Sequence, residues 1–206
     1  MPRQVDLMGV QVKGLAELTS PLNHYNFAVN QQLDYKLVRW IAAMCCVQFC
    51  SAWERYAERR LIVALNHNPQ HFLKENAVRG LKHIPVGLAT VLVRGGNRYF
   101  DFRSMEELMK KVNYLVGEPH NPFKNVPRQA RPYLDALAAI RNCIVHRSDA
   151  SVATYKRTVR KVYGIKATPE PDEFLNAKET RKGNPMRGIS RIQGLSLWVF
   201  QSISKT

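Results

Sequence analysis

The stretch Leu33–Leu65, LDYKLVRWIAAMCCVQFCSAWERYAERRLIVAL, contains neither glycine nor proline. Apolar residues recur in it at helical spacing, at Leu33, Leu37, Ile41 and Met44 and then at Phe49, Ala52, Tyr56 and Leu61. That pattern predicts one long helix over 33–65. Its polar face carries Asp34, Arg39, Gln48, Glu54, Arg55, Glu58 and Arg59, whereas the middle from Trp40 to Cys50 is dense enough in apolar side chains to be buried on most sides. A helix of that kind needs other elements around it, which points to an all-α bundle.

Working outward, residues 1–32 include Thr19-Ser20-Pro21 and Asn23-His24-Tyr25-Asn26, which read as an irregular arm or a short strand. After a break from Asn66 to Gln70, Phe72 to Leu81 reads as helix and Pro85 restarts the chain. Val86 to Val93 suits a helix or a strand until Arg94-Gly95-Gly96-Asn97 turns it. Ser104-Met105-Glu106-Glu107 is a capping box, with the Ser104 side chain expected on the Glu107 amide and Glu107 on the Ser104 amide. It opens a helix from Met105 to Val116 that Gly117 and Pro119 stop.

A Pro- and Asn-rich linker, Glu118 to Val126, leads to a helix from about Arg131 to His146, with Pro132 in its first turn. Ser148-Asp149-Ala150-Ser151 ends or bends that helix. A basic helix from Val152 to Tyr163 follows, bearing Lys156, Arg157, Arg160 and Lys161 as either a phosphate-contacting strip or a solvated face. Beyond Gly164 the chain reads as a loop to Gly188, and Ser190 to Ser204 is apolar enough to return to the core. The expected fold is therefore an all-α antiparallel bundle of four to five helices with an irregular N-terminal arm (1–32), a helical domain (33–163) and a C-terminal decoration (164–206) packed on it.

Composition narrows the partners. Thirty-one Lys and Arg against 16 Asp and Glu give a formal charge of +15 over 206 residues, which favours a polyanion, most simply nucleic acid. The four cysteines, Cys45, Cys46, Cys50 and Cys143, form no C-x-x-C pair and have no histidine at zinc spacing. Buried free thiols in a reducing cytoplasm are expected, with no metal and no cofactor. The segment from Met1 to Asp6 lacks an apolar signal core and no apolar run approaches about 18 residues, so no membrane association is expected.

The chemistry-bearing residues stand at the end of the second long helix, in Arg141-Asn142-Cys143-Ile144-Val145-His146. At about 100° per residue, Asn142 and His146 lie within about 40° of each other and Arg141 about 100° to one side of Asn142. Leu137, Ile140 and Ile144 fall on the packing side. A histidine that titrates near neutrality can take a proton from a ribose 2′-OH or give one to a leaving 5′-oxygen. An arginine can hold the phosphate as charge builds on it, and the Asn142 amide can orient the imidazole or donate to a phosphate oxygen.

This segment resembles the signature of the HEPN superfamily of all-helical ribonucleases and RNA-binding domains, an Arg followed after four to six residues by His, commonly with a polar residue directly after the Arg. The upstream Ser51-Ala52-Trp53-Glu54-Arg55 and the helical lead-in to the motif are also similar to bacterial members, over roughly Leu33 to Ser151. The resemblance implies a homodimer whose motif helices face each other across one cleft lined by Arg141, Asn142 and His146 of each subunit. Glu54 and Arg147 would be supporting residues, and Arg55, Lys156, Arg157, Arg160 and Lys161 would contact RNA. It further implies metal-independent endoribonuclease activity in a toxin–antitoxin, phage-defence or RNA-processing role, with an antitoxin protein as a possible partner.

A second pair, Arg60 and His67, has a six-residue gap, but Leu61 follows the arginine and His67 falls in the helix-ending Asn66-His67-Asn68-Pro69. It is set aside as a motif. Two other classes of function fit the same residues: a HEPN-like module that binds RNA or a nucleotide, or regulates a partner, without cutting, and a DNA-binding regulator that lays the Lys156–Lys161 helix in a groove.

Overall fold

The computed structural model describes residues 6–181, 184–187, 189 and 194. The chain is an all-α bundle built around one central helix. Helix α1 spans Leu7–Asn30, α2 Tyr35–His67, α3 Gln70–Glu75, α4 Val86–Arg94, α5 Met105–Val116, α6 Arg131–His146, α7 Asp149–Tyr163 and α8 Pro171–Asn176. A small antiparallel hairpin, β1 (Lys178–Arg181) and β2 (Asn184–Arg187), follows α8 and pairs Lys178 with Arg187. Among the described residues, no helix is long and apolar enough to cross a membrane.

Helix α2 starts where Asp34 accepts the amides of Lys36 and Leu37 at 2.9 and 3.3 Å, so the carboxylate satisfies two of the first-turn N–H groups. Its buried residues, among them Ala42, Cys45, Cys50, Ala52, Leu61 and Leu65, point in several directions, and α1, α4, α5, α6 and α8 all pack against it. The four cysteines are free and buried. Burial pushes the Cys45 thiol up to about 11, and a hydrogen bond with Cys50 together with burial holds Cys46 well above its ordinary value, so both stay protonated.

The segment expected as an irregular arm is instead the 24-residue helix α1, with Pro21 inside it. Leu18, Leu22, Tyr25 and Ala28 are buried against α2, and this packing outweighs the one backbone bond that proline forfeits. Gly14 sits directly against α2: a Cβ there would lie 2.3 Å from the Tyr56 ring. Farther along, Glu17 meets Arg59 at 3.1 Å and Arg55 at 3.4 Å.

Other differences are local. The helix expected over 72–81 is α3 and stops at Glu75, because Ala77 takes a positive φ of 50° while its amide reaches Lys74 O and that of Val78 reaches Leu73 O, a Schellman ending. Val86–Val93, which suited either element, is helical and closes the same way at Gly95 (φ 63°). Ser104 caps α5 as expected, at 3.2 Å from the Glu107 amide, but the Glu107 carboxylate accepts from Arg103 N at 2.8 Å rather than from Ser104. Helix α7 begins at Asp149, earlier than Val152, since Ser148 accepts the Ser151 amide and caps it. The stretch expected as a loop after Gly164 contains α8, anchored by Arg39 to Asp172 (2.8 Å) and Glu173 (3.0 Å) and by the Tyr25 hydroxyl donating to Asn176 at 2.8 Å. The expected closing segment, Ser190 to Ser204, lies almost wholly outside the described residues.

Two outcomes follow from the α1–α2 contact. Replacing a helical glycine by alanine ordinarily gains up to about 1 kcal/mol, whereas overpacking costs about 1–3 kcal/mol. At Gly14 the clash with the buried Tyr56 ring prevails, and urea unfolding of Gly14→Ala should show a net loss of about 1–2 kcal/mol. Burial alone would raise the Glu17 carboxyl, but the bonds and charges of Arg59 and Arg55 hold it below its ordinary value of 4.5. Its stabilisation is therefore present above 4.5 and lost as pH falls through the depressed folded-state value. Glu17→Gln should remove about 0.5–1 kcal/mol at pH 7 and almost nothing at the acid end of that window.

Candidate functional site

Helices α6 and α7 form a tight hairpin. Arg147 takes a left-handed φ of 48° at the end of α6 and Ser148 already caps α7, so the chain reverses within two residues. Tyr133, near the start of α6, meets Tyr163, the last residue of α7, edge to face at 5.5 Å between ring centroids, which fixes the two helices antiparallel. Leu134, Leu137, Ile140 and Cys143 bury the core side of α6, and Ile144 packs partly against the same core.

Between the helices lies an open groove of about 760 Å³, whose lining includes Arg103, Tyr133, Asp135, Asn142, Arg157 and Lys161. Three cations face one carboxylate, and that carboxylate is already engaged: Asp135 accepts the Met105 amide, the first of α5, at 2.7 Å. Burial pushes the Asp135 carboxyl up, and the Met105 N–H pulls it back. The groove thus combines cationic forks, an amide and an aromatic ring, the groups with which proteins hold phosphates and stack bases. A recess of about 20 Å³ shares Arg103, Ser104, Asp135 and Ala138 with the groove and reaches Glu54 on α2.

At that end Arg141 donates from its terminal guanidinium nitrogen to Glu54 Oε1. Both side chains are only about a fifth to a quarter exposed (21 and 24 %), and Arg141 Nε is enclosed without a partner. Burial raises the Glu54 carboxyl while the Arg141 charge and bond oppose that rise, so the pair is held by mutual dependence in a poorly solvated place.

The motif residues therefore occupy different surroundings. Arg141 faces α2 and is held by Glu54, Asn142 opens onto the α6–α7 groove, and His146 is exposed on the last turn of α6, one turn beyond Asn142. Arg147 is exposed at the corner. Of the basic strip, Arg157 and Lys161 line the groove. Lys156 and Arg160 are exposed beside it, and Arg160 Nε donates to Thr168 Oγ1 at 3.0 Å. Arg55 stands elsewhere, paired to Glu17 and lining a separate groove between α1 and α2.

Sequence reasoning missed Arg103, Tyr133 and Asp135. Asp135 carried a signal, since it stands two helical turns before Asn142 and shares its face. Arg103 carried none, because the turn before α5 places it there. Among the described residues there is no cluster of three or more His, Cys, Asp or Glu side chains that would hold a metal ion. Comparison with protein-family models, with curated proteins and with solved structures returns no match to this chain.

Asp135 links the groove wall to the start of α5, and Asp135→Ala would leave the Met105 amide unpaired. A loss of about 1–2 kcal/mol is expected in chemical denaturation, with Asp135→Asn, which keeps an acceptor oxygen, losing less than half of that.

Proposed function

We propose that the protein is a metal-independent endoribonuclease that binds single-stranded RNA along the α6–α7 groove and cuts it at a cleft shared by two copies of the chain. The observation that carries this reading is the placement of an exposed imidazole, His146, one turn beyond an asparagine that opens onto a cation-lined groove. The resemblance of the Arg141–His146 segment to the HEPN signature supports it, as does the charge of +15.

In this reading Arg157 and Lys161 grip the RNA backbone, and Tyr133 offers a ring to an unstacked base. A base removes the proton from a ribose 2′-OH, the 2′-oxygen forms a bond to phosphorus, and the bond from phosphorus to the 5′-oxygen breaks as that oxygen gains a proton. The products are a 2′,3′-cyclic phosphate and a 5′-OH. One imidazole can take the first proton and the imidazolium of a second subunit can give the last, which is why two copies of His146 suit the chemistry. Glu54 occupies one of the five guanidinium N–H donors of Arg141 and fixes its orientation, leaving others to meet charge on the phosphate. A bacterial cytoplasmic setting, with an antitoxin or another regulator as partner, accords with the resemblance and with four free buried thiols.

One observation favours a second reading, an RNA-binding module that does not cut. Arg141 is already neutralised by Glu54 within a single subunit, so its first role can be to tie α6 to α2. His146→Ala separates the two. On the catalytic reading, cleavage of single-stranded RNA in EDTA proceeds with the wild type and falls about 100-fold or more in the variant, with RNA affinity and, to within about 0.5 kcal/mol, stability retained. No cleavage by the wild type with intact salt-dependent binding would establish the module instead.

A further inference from the structure

Among the described residues, the most deeply buried arginine is neither in the groove nor in the motif. Arg60, on the inner side of α2, is 3 % exposed. Of the half-buried arginines among the described residues, Arg39, Arg59, Arg94 and Arg141 each meet a carboxylate, from Asp172, Glu17, Glu58 and Glu54 respectively, and Arg131 meets none. Arg60 meets none among the described residues, and its Nε is buried without a hydrogen-bond partner. Burial pushes its pKa down and the neighbouring Tyr56 only partly opposes this, yet a guanidinium does not give up its proton inside a protein, so the charge stays without a carboxylate to balance it.

The space beside this side chain is a pocket of about 150 Å³. Its wall includes Arg60, His67, Asn68, His120, Asn121 and Lys124, and no Asp or Glu lines it. The wall is fixed by its own bonds: the Asn121 amide donates to Asn113 at 2.7 Å while its oxygen accepts the Phe123 amide at 2.8 Å. Lys124 is tethered by one bond to the Pro119 carbonyl at 3.0 Å, which leaves two of its N–H donors. Helix α2 ends at His67, and the partial negative charge of its C-terminus is about half an elementary charge, smaller than the full charges of Arg60 and Lys124.

We propose that this pocket is a binding site for a phosphate group, either free phosphate or the phosphate of a small monoester. A buried guanidinium whose Nε has no partner, a second cation at the rim and the His120 imidazole form a donor set that a tetrahedral dianion takes up, and arginine's planar fork suits two of its oxygens at once. The volume equals about five waters, enough for a phosphate but not for a nucleoside, which would remain outside. The pair Arg60 and His67, set aside as a catalytic spacing, thus stands on one wall of a different site that shares no lining residue with the α6–α7 groove.

Calorimetric titration of the full chain with inorganic phosphate, at constant ionic strength and physiological chloride, tests the assignment. One saturable site per chain is expected. Arg60→Met should weaken it by about 100-fold and Lys124→Met by about 10-fold, the range of charge-assisted hydrogen bonds. Phosphate should raise the melting temperature of the wild type but not that of Arg60→Met. Without phosphate the variant should melt no lower than the wild type, because an apolar side chain then replaces an unpaired buried charge. AMP displacing inorganic phosphate would identify a monoester as the ligand, and failure to displace it would identify free phosphate. Absence of saturable binding to the wild type, or equal affinity in Arg60→Met, would overturn the proposal. Should Arg60→Met not fold, unchanged phosphate affinity in the double variant Lys124→Met, His120→Ala would overturn it equally.

Discussion

A helix with buried residues on several of its sides must be enclosed, and α2 imposes that constraint on the whole chain. Thirty-three residues long, it runs about 50 Å and offers apolar surface to α1, α4, α5, α6 and α8 at once. Because the core is organised around one rod, the few polar residues on that rod become the points where outer helices are registered. Glu54 takes Arg141 of α6, Glu58 takes Arg94 of α4, Arg39 takes the acids of α8, and Arg55 and Arg59 take Glu17 of α1. Each of these pairs is partly screened by solvent and worth little alone, yet each fixes the rotation of an outer helix that apolar contacts would leave loosely determined.

That registration determines what the hairpin of α6 and α7 can present. With Arg141 drawn toward α2, the face of α6 that carries Asp135, Ala138 and Asn142 turns toward α7 and forms the groove. The basic strip of α7 then divides, Arg157 and Lys161 inward and Lys156 and Arg160 beside the groove. A positive potential inside a concave surface draws in a polyanion more strongly than the same charges spread over a convex one.

The periodic parts of this arrangement were legible in the sequence. The uninterrupted apolar spacing of 33–65, the Ser104 cap and the Arg131–His146 helix gave the bundle its centre and its motif. What was not legible depended on contacts between distant residues. Pro21 reads as a breaker, and only the burial of Leu18, Leu22 and Tyr25 against α2 keeps α1 continuous through it. Ala77 carries no sign of its positive φ, which the Schellman bonds impose. At the site, the long arginine stem reads as able to close the angular gap and bring Arg141 to one edge with Asn142 and His146; that Glu54 instead takes the arginine on another side of α6 required knowing how α6 sits on α2. The groove's Arg103 comes from a turn that no periodicity describes.

Whether RNA is cut where two copies of the motif meet is decided by subunit mixing. Arg141→Ala and His146→Ala chains, each inactive alone, are co-refolded or exchanged, and the RNA-cleaving rate of the mixture is compared with that of either homodimer. A shared cleft predicts a small but measurable return of activity, because the mixed dimer again holds one Arg141 and one His146 in a single cleft, with water in the role of the missing second imidazole. A mixture no more active than its components, with heterodimers demonstrated by native mass spectrometry, would rule out a cleft shared between subunits.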